Sequence, residues 1–150
     1  MGNVDPSSRI LEYAISKEVE SYHFYMAMSR RVDTDNMREV FEELAAEELG
    51  HKARLELEVI KSGKVMTAQE EREPGPDSNY IMSEDDALLD LDYMDMLLLA
   101  MEKEEASFRT YVTLVAKARG EQSRELLLAL AEEEVKHKLR FQTEYDIMAK

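Results

Sequence analysis

The chain contains no cysteine and no tryptophan, and only three prolines and three histidines in 150 residues. Without cysteine there can be no disulfide, no thiolate metal ligand and no built-in iron–sulfur or rubredoxin-like module. Basic residues are also scarce: 19 Lys and Arg stand against 33 Asp and Glu, a formal charge of −14. That balance argues against nucleic acid or an anionic membrane as partner, because both require a basic face. Long apolar runs are missing. The longest candidate, MDMLLLAM from Met94, is too short to span a bilayer and carries Asp95. The opening MGNVDPSS lacks the basic start and apolar stretch of a secretion signal, and Pro6 stands where a myristoylation signal needs a hydroxyl. The expectation is a cytoplasmic protein, one domain over residues 1–150, with an apolar content of 44% that supports a real core.

What remains reads as helix. The breaks fall at Pro6, Gly63, Pro74-Gly75-Pro76 and Gly120. A first helix starts at Asp5-Pro6, since proline suits the first helical position, and buries Leu11, Ala14, Ile15, Tyr25 and Met28. A second begins near Asp35, carries Val40, Phe41, Leu44, Leu55 and Val59 at helical spacing, and is ended by Gly63. A third runs from Asp92 to Ala118, and a fourth follows Gly120 almost to the end. SEDDALLDLD, just before the third helix, reads either as a short capped helix or as a first turn.

Residues 62–83 form a long stretch without helical character, which needs a reason in a compact domain. A helix of about 27 residues is roughly 40 Å long. Some twenty extended residues reach that far, at about 3.3 Å each. The third helix can therefore restart from the far end, parallel to the second. The expected fold is all-α: a ferritin-like four-helix bundle made of two helical hairpins with one long crossover.

Displaced by 86 residues, the sequence matches itself without a gap, approximately 10–59 on 96–145. Glu18 meets Glu104, Tyr25 meets Tyr111, Glu48 meets Glu134 and His51 meets His137. Two copies of one hairpin, related by a pseudo-two-fold axis, follow from this register. E-x-x-H alone decides little, because all three histidines have a glutamate three residues earlier. Helical phase separates them. Glu48 and His51 continue the apolar face of Leu44 and Leu55, and Glu134 and His137 continue that of Leu130 and Phe141. Glu20 and His23 point away from Glu18, and their mates are Ala106 and Arg109, so that pair is expected on a solvated or subunit-facing surface.

Glu18 and Glu104 each interrupt an apolar stripe at matched positions. Four buried carboxylates without partners would be prohibitive or would take up protons. Two divalent cations neutralise them and two neutral imidazoles complete the set. Carboxylate and imidazole without thiolate suit iron or manganese, and zinc could also bind. One dinuclear site is thus expected, with Glu18, Glu48, His51, Glu104, Glu134 and His137 as metal ligands.

At this point the helices resemble the rubrerythrin and ferritin-like di-iron carboxylate family. AISKEVESYHFY is similar to that family's A-x-x-x-E-x-x-A-x-x-x-Y phrase, with Ser21 in place of alanine. FEELAAEELGHKARL is similar to its E-x-x-H helix, and AMEKEEASFRTY and LALAEEEVKHKLRF repeat the two. The resemblance covers about two thirds of the chain and leaves the 62–92 connection aside. It implies Glu18 and Glu104 as terminal ligands, Glu48 and Glu134 as bridges, His51 and His137 as caps, and Tyr25 and Tyr111 as partners of the ligands. It further implies two iron ions per chain, manganese or a mixed pair being alternatives, and a homodimer. The implied activity is a peroxidase or ferroxidase type of oxidoreductase acting on peroxide, O₂ or ferrous iron, with iron storage or handling and a manganese catalase as alternatives. Two departures stand out. The peroxidases of the family carry a further glutamate three residues after the third-helix ligand, where this chain has Ser107. The cysteine-ligated electron-transfer domain is missing, so an external electron donor protein is expected.

Overall fold

Four helices form from the four predicted stretches: α1 (Pro6–Ser29), α2 (Asp35–Lys61), α3 (Tyr93–Lys117) and α4 (Glu121–Ala149). The computed structural model describes residues 6–62 and 91–150, with side chains from Arg9 onward in the first stretch. Gly63 and most of SEDDALLDLD lie outside the described residues.

Local chemistry sets the helix ends. Thr34 accepts a hydrogen bond from the Met37 N–H at 3.2 Å, and Asp92 accepts one from the Asp95 N–H at 2.8 Å, each satisfying an orphan donor of a first turn. Lys61 and Lys117 sit in last turns, where a positive charge complements the helix dipole. The Ser62 N–H closes α2 on the Glu58 carbonyl. Before α4 there is no side-chain cap; instead Gly120 turns the chain with φ 92° and ψ 128°.

Cross-links between helices fix their directions. Tyr25 of α1 bonds Glu104 of α3, and Tyr111 of α3 bonds Glu18 of α1. As α1 advances, its partners on α3 recede, so these helices are antiparallel. By the same reasoning α2 and α4 are antiparallel, since His51 approaches Glu134 while His137 approaches Glu48. The links within each hairpin are only a few residues long, which makes α1–α2 and α3–α4 antiparallel too. Hence α2 and α3 are parallel, so α2 ends and α3 begins at opposite ends of the bundle. This is the ferritin-like topology.

The core divides at mid-height. One end packs Tyr25, Phe41 and Phe141 with ring centroids 5.5–6.3 Å apart, together with Met28 and Leu97. The other end packs Leu11, Ile15, Leu55, Leu127 and Leu130. Between the two lies a polar layer. Among the described residues no helix is long and apolar enough to cross a membrane.

Two glycines should respond to alanine with opposite signs. A methyl group at Gly120 or Gly50 meets nothing within 4 Å, so only backbone conformation is tested. G120A forces a side chain into a left-handed φ and should cost about 1–2 kcal/mol. G50A, on an exposed turn inside α2, should add about 0.5–1 kcal/mol. Urea denaturation midpoints check both.

Candidate metal centre

The polar layer is built from all four helices. α1 supplies Glu18 and α3 supplies Glu104, while α2 gives Glu48 and His51 and α4 gives Glu134 and His137. Residues three apart are neighbours on a helix, so each E-x-x-H delivers a carboxylate and an imidazole together. All six side chains are buried, with 0–4% of each residue exposed.

His51 Nδ1 lies 3.3 Å from one oxygen each of Glu18, Glu48 and Glu134. His137 Nδ1 lies 3.5 Å from oxygens of Glu48 and Glu104 and 4.0 Å from Glu134. The two imidazole rings are stacked, 5.4 Å apart and 3° from parallel. One ring nitrogen carries at most one proton and cannot serve three acceptors. Glu18 Oε1, Glu104 Oε2, both oxygens of Glu48, both of Glu134 and His137 Nδ1 are buried without a hydrogen-bond partner. Buried polar atoms are nearly always satisfied, so a cluster of this kind is an electron-pair cage for a cation.

The donor atoms sort into two sets. Glu18, Glu48, His51 and Glu134 place one ligand atom each within 4.8 Å of the others, and so do Glu48, Glu104, Glu134 and His137. Glu48 and Glu134 belong to both sets, as the bridges of a metal pair must. The donors are carboxylates and imidazoles, a set that fits iron or manganese.

Crowding shows in the ionisation of the protein without metal. Burial and the neighbouring Glu18 and Glu104 push the Glu48 carboxyl up to about 8. Burial and the charges of Glu48 and Glu104 likewise raise Glu134 well above the carboxylate range. Burial opposes charge on Glu104 as well, but the adjacent Glu134 and His137 and the hydroxyl of Tyr25 outweigh it and hold this carboxyl low. Burial disfavours charged imidazole, yet the surrounding carboxylates lift His51 to about 10 and His137 to about 9. Protons thus occupy positions that cations would take.

A second layer orients the first. The hydroxyl of Tyr25 donates to Glu104, and that of Tyr111 donates to Glu18. Each tyrosine serves the glutamate of the opposite helix, not the one seven residues before it on its own. Burial raises both phenols well above their ordinary value, so they remain donors. Glu47 was missed by sequence reasoning. Its carboxylate lies 3.3 Å from His137 Nε2, an arrangement that directs the Nδ1 lone pair inward. The doubled glutamate in each repeat, Glu47-Glu48 and Glu133-Glu134, was the available signal.

Glu20 and His23 belong to none of the metal-capable groups among the described residues. They are half-buried rather than solvated: Glu20 pairs with Lys17 at 3.4 Å and His23 packs edge-on against Tyr22. Ser107 and its repeat mate Ser21 line a cavity of about 300 Å³ that reaches Glu18 and Tyr111 between α1 and α3. Glu105 is held by Lys138 at 2.8 Å and Arg109 at 3.0 Å, away from the cluster.

A family model described as Rubrerythrin matches residues 9–145. No curated protein matches the chain. Among solved structures, a hypothetical protein from Pyrococcus furiosus shares the fold with a TM-score of 0.70 and 24% identity, over 95% of this chain and 89% of that one.

Two measurements follow from the site's geometry and charge. Glu48→Leu should leave the metal-free protein neutral or more stable by about 1–4 kcal/mol, because it removes a buried, crowded carboxyl. Wild type should gain about 2.7 kcal/mol with free Fe²⁺ or Mn²⁺ at about a hundred times Kd, and the variant should gain none. Equal destabilisation of both forms in thermal melts would assign the carboxyl to a structural network instead.

Metal binding should also release protons. Glu48, His51 and His137 hold theirs up to about 8, 10 and 9 and must surrender them to become ligands. Affinity therefore rises as pH increases through that range and falls as pH is lowered. Calorimetry of Mn²⁺ binding in two buffers of different ionisation enthalpy should give buffer-dependent heats; identical heats would contradict the proton exchange.

Proposed function

Because the chain belongs to the rubrerythrin family, we propose that its buried Glu/His layer holds two iron ions and that the protein is a dinuclear-iron oxidoreductase acting on peroxide or O₂. The supporting observation is the pair of four-ligand sets that share Glu48 and Glu134, whose four oxygens are buried and unpartnered. Iron at this place supplies two coupled one-electron redox centres within reach of a small oxidant.

The protein's own residues have distinct tasks in this reading. Glu18 with His51 and Glu104 with His137 would hold one ion each, while Glu48 and Glu134 join the two. Each carboxylate offers two oxygens, so these glutamates could hold ions of different charge without a shift of the helices. Tyr25 and Tyr111 fix the rotamers of Glu104 and Glu18 by donating hydrogen bonds across the bundle. Glu47 holds His137 in the tautomer that presents Nδ1. The aromatic layer of Phe41 and Phe141 keeps water out on one side, and the cavity beside Ser107 and Ser21 gives a small oxidant access on the α1–α3 side. With no cysteine in the chain, reducing equivalents come from a separate electron donor protein.

The experiment is anaerobic loading with Fe²⁺, reduction, and mixing with hydrogen peroxide or O₂ under stopped-flow absorbance. Two irons should bind per chain, and the reduced protein should consume about one peroxide per iron pair. Tyr25→Phe and Tyr111→Phe should keep both irons and slow oxidation about tenfold or more. Retention of many irons per chain with slow peroxide consumption would instead identify an iron-storage protein. Turnover only with Mn²⁺ would identify a catalase-like one.

A further inference from the structure

The charge of this protein is unevenly spread, and one cavity runs against it. A cavity of about 490 Å³ opens between the start of α1 and the end of α3, rimmed by Arg9, Arg109 and Lys117. Its walls are Ile10, Leu114 and Tyr13 with two threonines, and among the described residues none that line it is acidic. In a chain of charge −14, three cations around an apolar hollow form a local inversion of the field. Arg9 and Lys117 are both exposed. Arg109 meets Glu105 through Nε at 3.0 Å, but that carboxylate is shared with Lys138 at 2.8 Å.

The internal repeat supplies a control. The counterparts of Ile10, Thr110 and Leu114 in the other half are Met96, Phe24 and Met28. Those three are buried, at 2%, 3% and 0% exposure, and fill the corresponding end of the α1–α3 seam. The counterparts of Arg9, Arg109 and Lys117 are Asp95, His23 and Arg31, which carry no net charge with histidine neutral. Smaller side chains and added cations thus occur together at one end only. The hollow also adjoins the cavity beside Glu18, since Thr110 and Leu114 line both.

We propose that this end of the α1–α3 seam binds a small amphiphilic anion, a single-chain carboxylate whose head pairs with Arg9 and Lys117 and whose apolar tail lies along Ile10 and Leu114. The size and lining are those of a small-molecule site. Charge chooses the sign of the head: hydrogen bonds from guanidinium and ammonium groups to a carboxylate are stronger than those between neutral groups. The long-range field of the acidic protein repels polyanions, while a single charge reaches the rim within a Debye length of about 8 Å. The inference does not depend on the identity or redox role of the metals.

The test is calorimetric titration of the metal-loaded protein with decanoate, decanol and decylamine, below their micellar concentrations. Decanoate should bind once per chain, about tenfold or more tighter than decanol, and decylamine should not bind. Thr110→Phe, which imitates the filled end, and the surface double variant Arg9→Glu/Lys117→Glu should each weaken decanoate about tenfold or more. Both should leave metal content unchanged. The charge variant keeps the test intact if the phenylalanine disturbs packing. No decanoate binding, equal binding of decanol or decylamine, or decanoate binding that survives both variants would overturn the proposal; the last result would place the carboxylate on the metals.

Discussion

The structure turns on one electrostatic constraint: four carboxylates and two imidazoles are packed together almost wholly out of bulk solvent. Burying one unpaired carboxylate is costly, and four side by side add mutual repulsion to desolvation. Protons relieve part of this in the metal-free protein, which is why Glu48, Glu134, His51 and His137 all hold theirs more tightly than usual. A pair of divalent cations relieves it more completely. The layer is tolerated because each helix buries long apolar stripes above and below it, with aromatic rings at one end and aliphatic side chains at the other.

The same constraint explains the second layer. A carboxylate that may bind through either oxygen needs a fixed orientation, and a buried hydroxyl supplies it without adding charge. Tyr25 and Tyr111 provide this across the α1–α3 seam, where the helices are otherwise less closely packed than within the hairpins. The seam accordingly carries two cavities, one reaching Glu18 and one at the basic end.

Much of this was legible in the sequence because its strongest signals are periodic. Helical phase placed Glu48 with His51 and Glu134 with His137, and the 86-residue register separated these pairs from Glu20 with His23. The helix starts near Asp35, at Asp92 and after Gly120 could be read, because the chemistry there is local. The crossing of each tyrosine to the opposite glutamate could not be read, because it spans 79 and 93 residues and depends on the relative rotation of two helices. Glu47 was hidden by the abundance of glutamate on helix surfaces. The half-burial of Glu20 and His23 also escaped, since phase shows which way a residue points but not what packs over it.

The division of ligands between the hairpins has an evolutionary consequence. Each four-ligand set takes three residues from one hairpin and one from the other: Glu18, Glu48 and His51 with Glu134, and Glu104, Glu134 and His137 with Glu48. A single ancestral hairpin bearing one glutamate in its first helix and one E-x-x-H in its second would build both sets by pairing with an identical copy. Metal chemistry could then precede gene fusion, with the joining segment added later to make a transient pair permanent. In the repeat as it stands the six metal-capable positions match, whereas positions such as Phe41 and Leu127, or Leu55 and Phe141, differ. The present chain therefore keeps the symmetry at its six buried metal-capable positions, while parts of its core and its surface charges have departed from it.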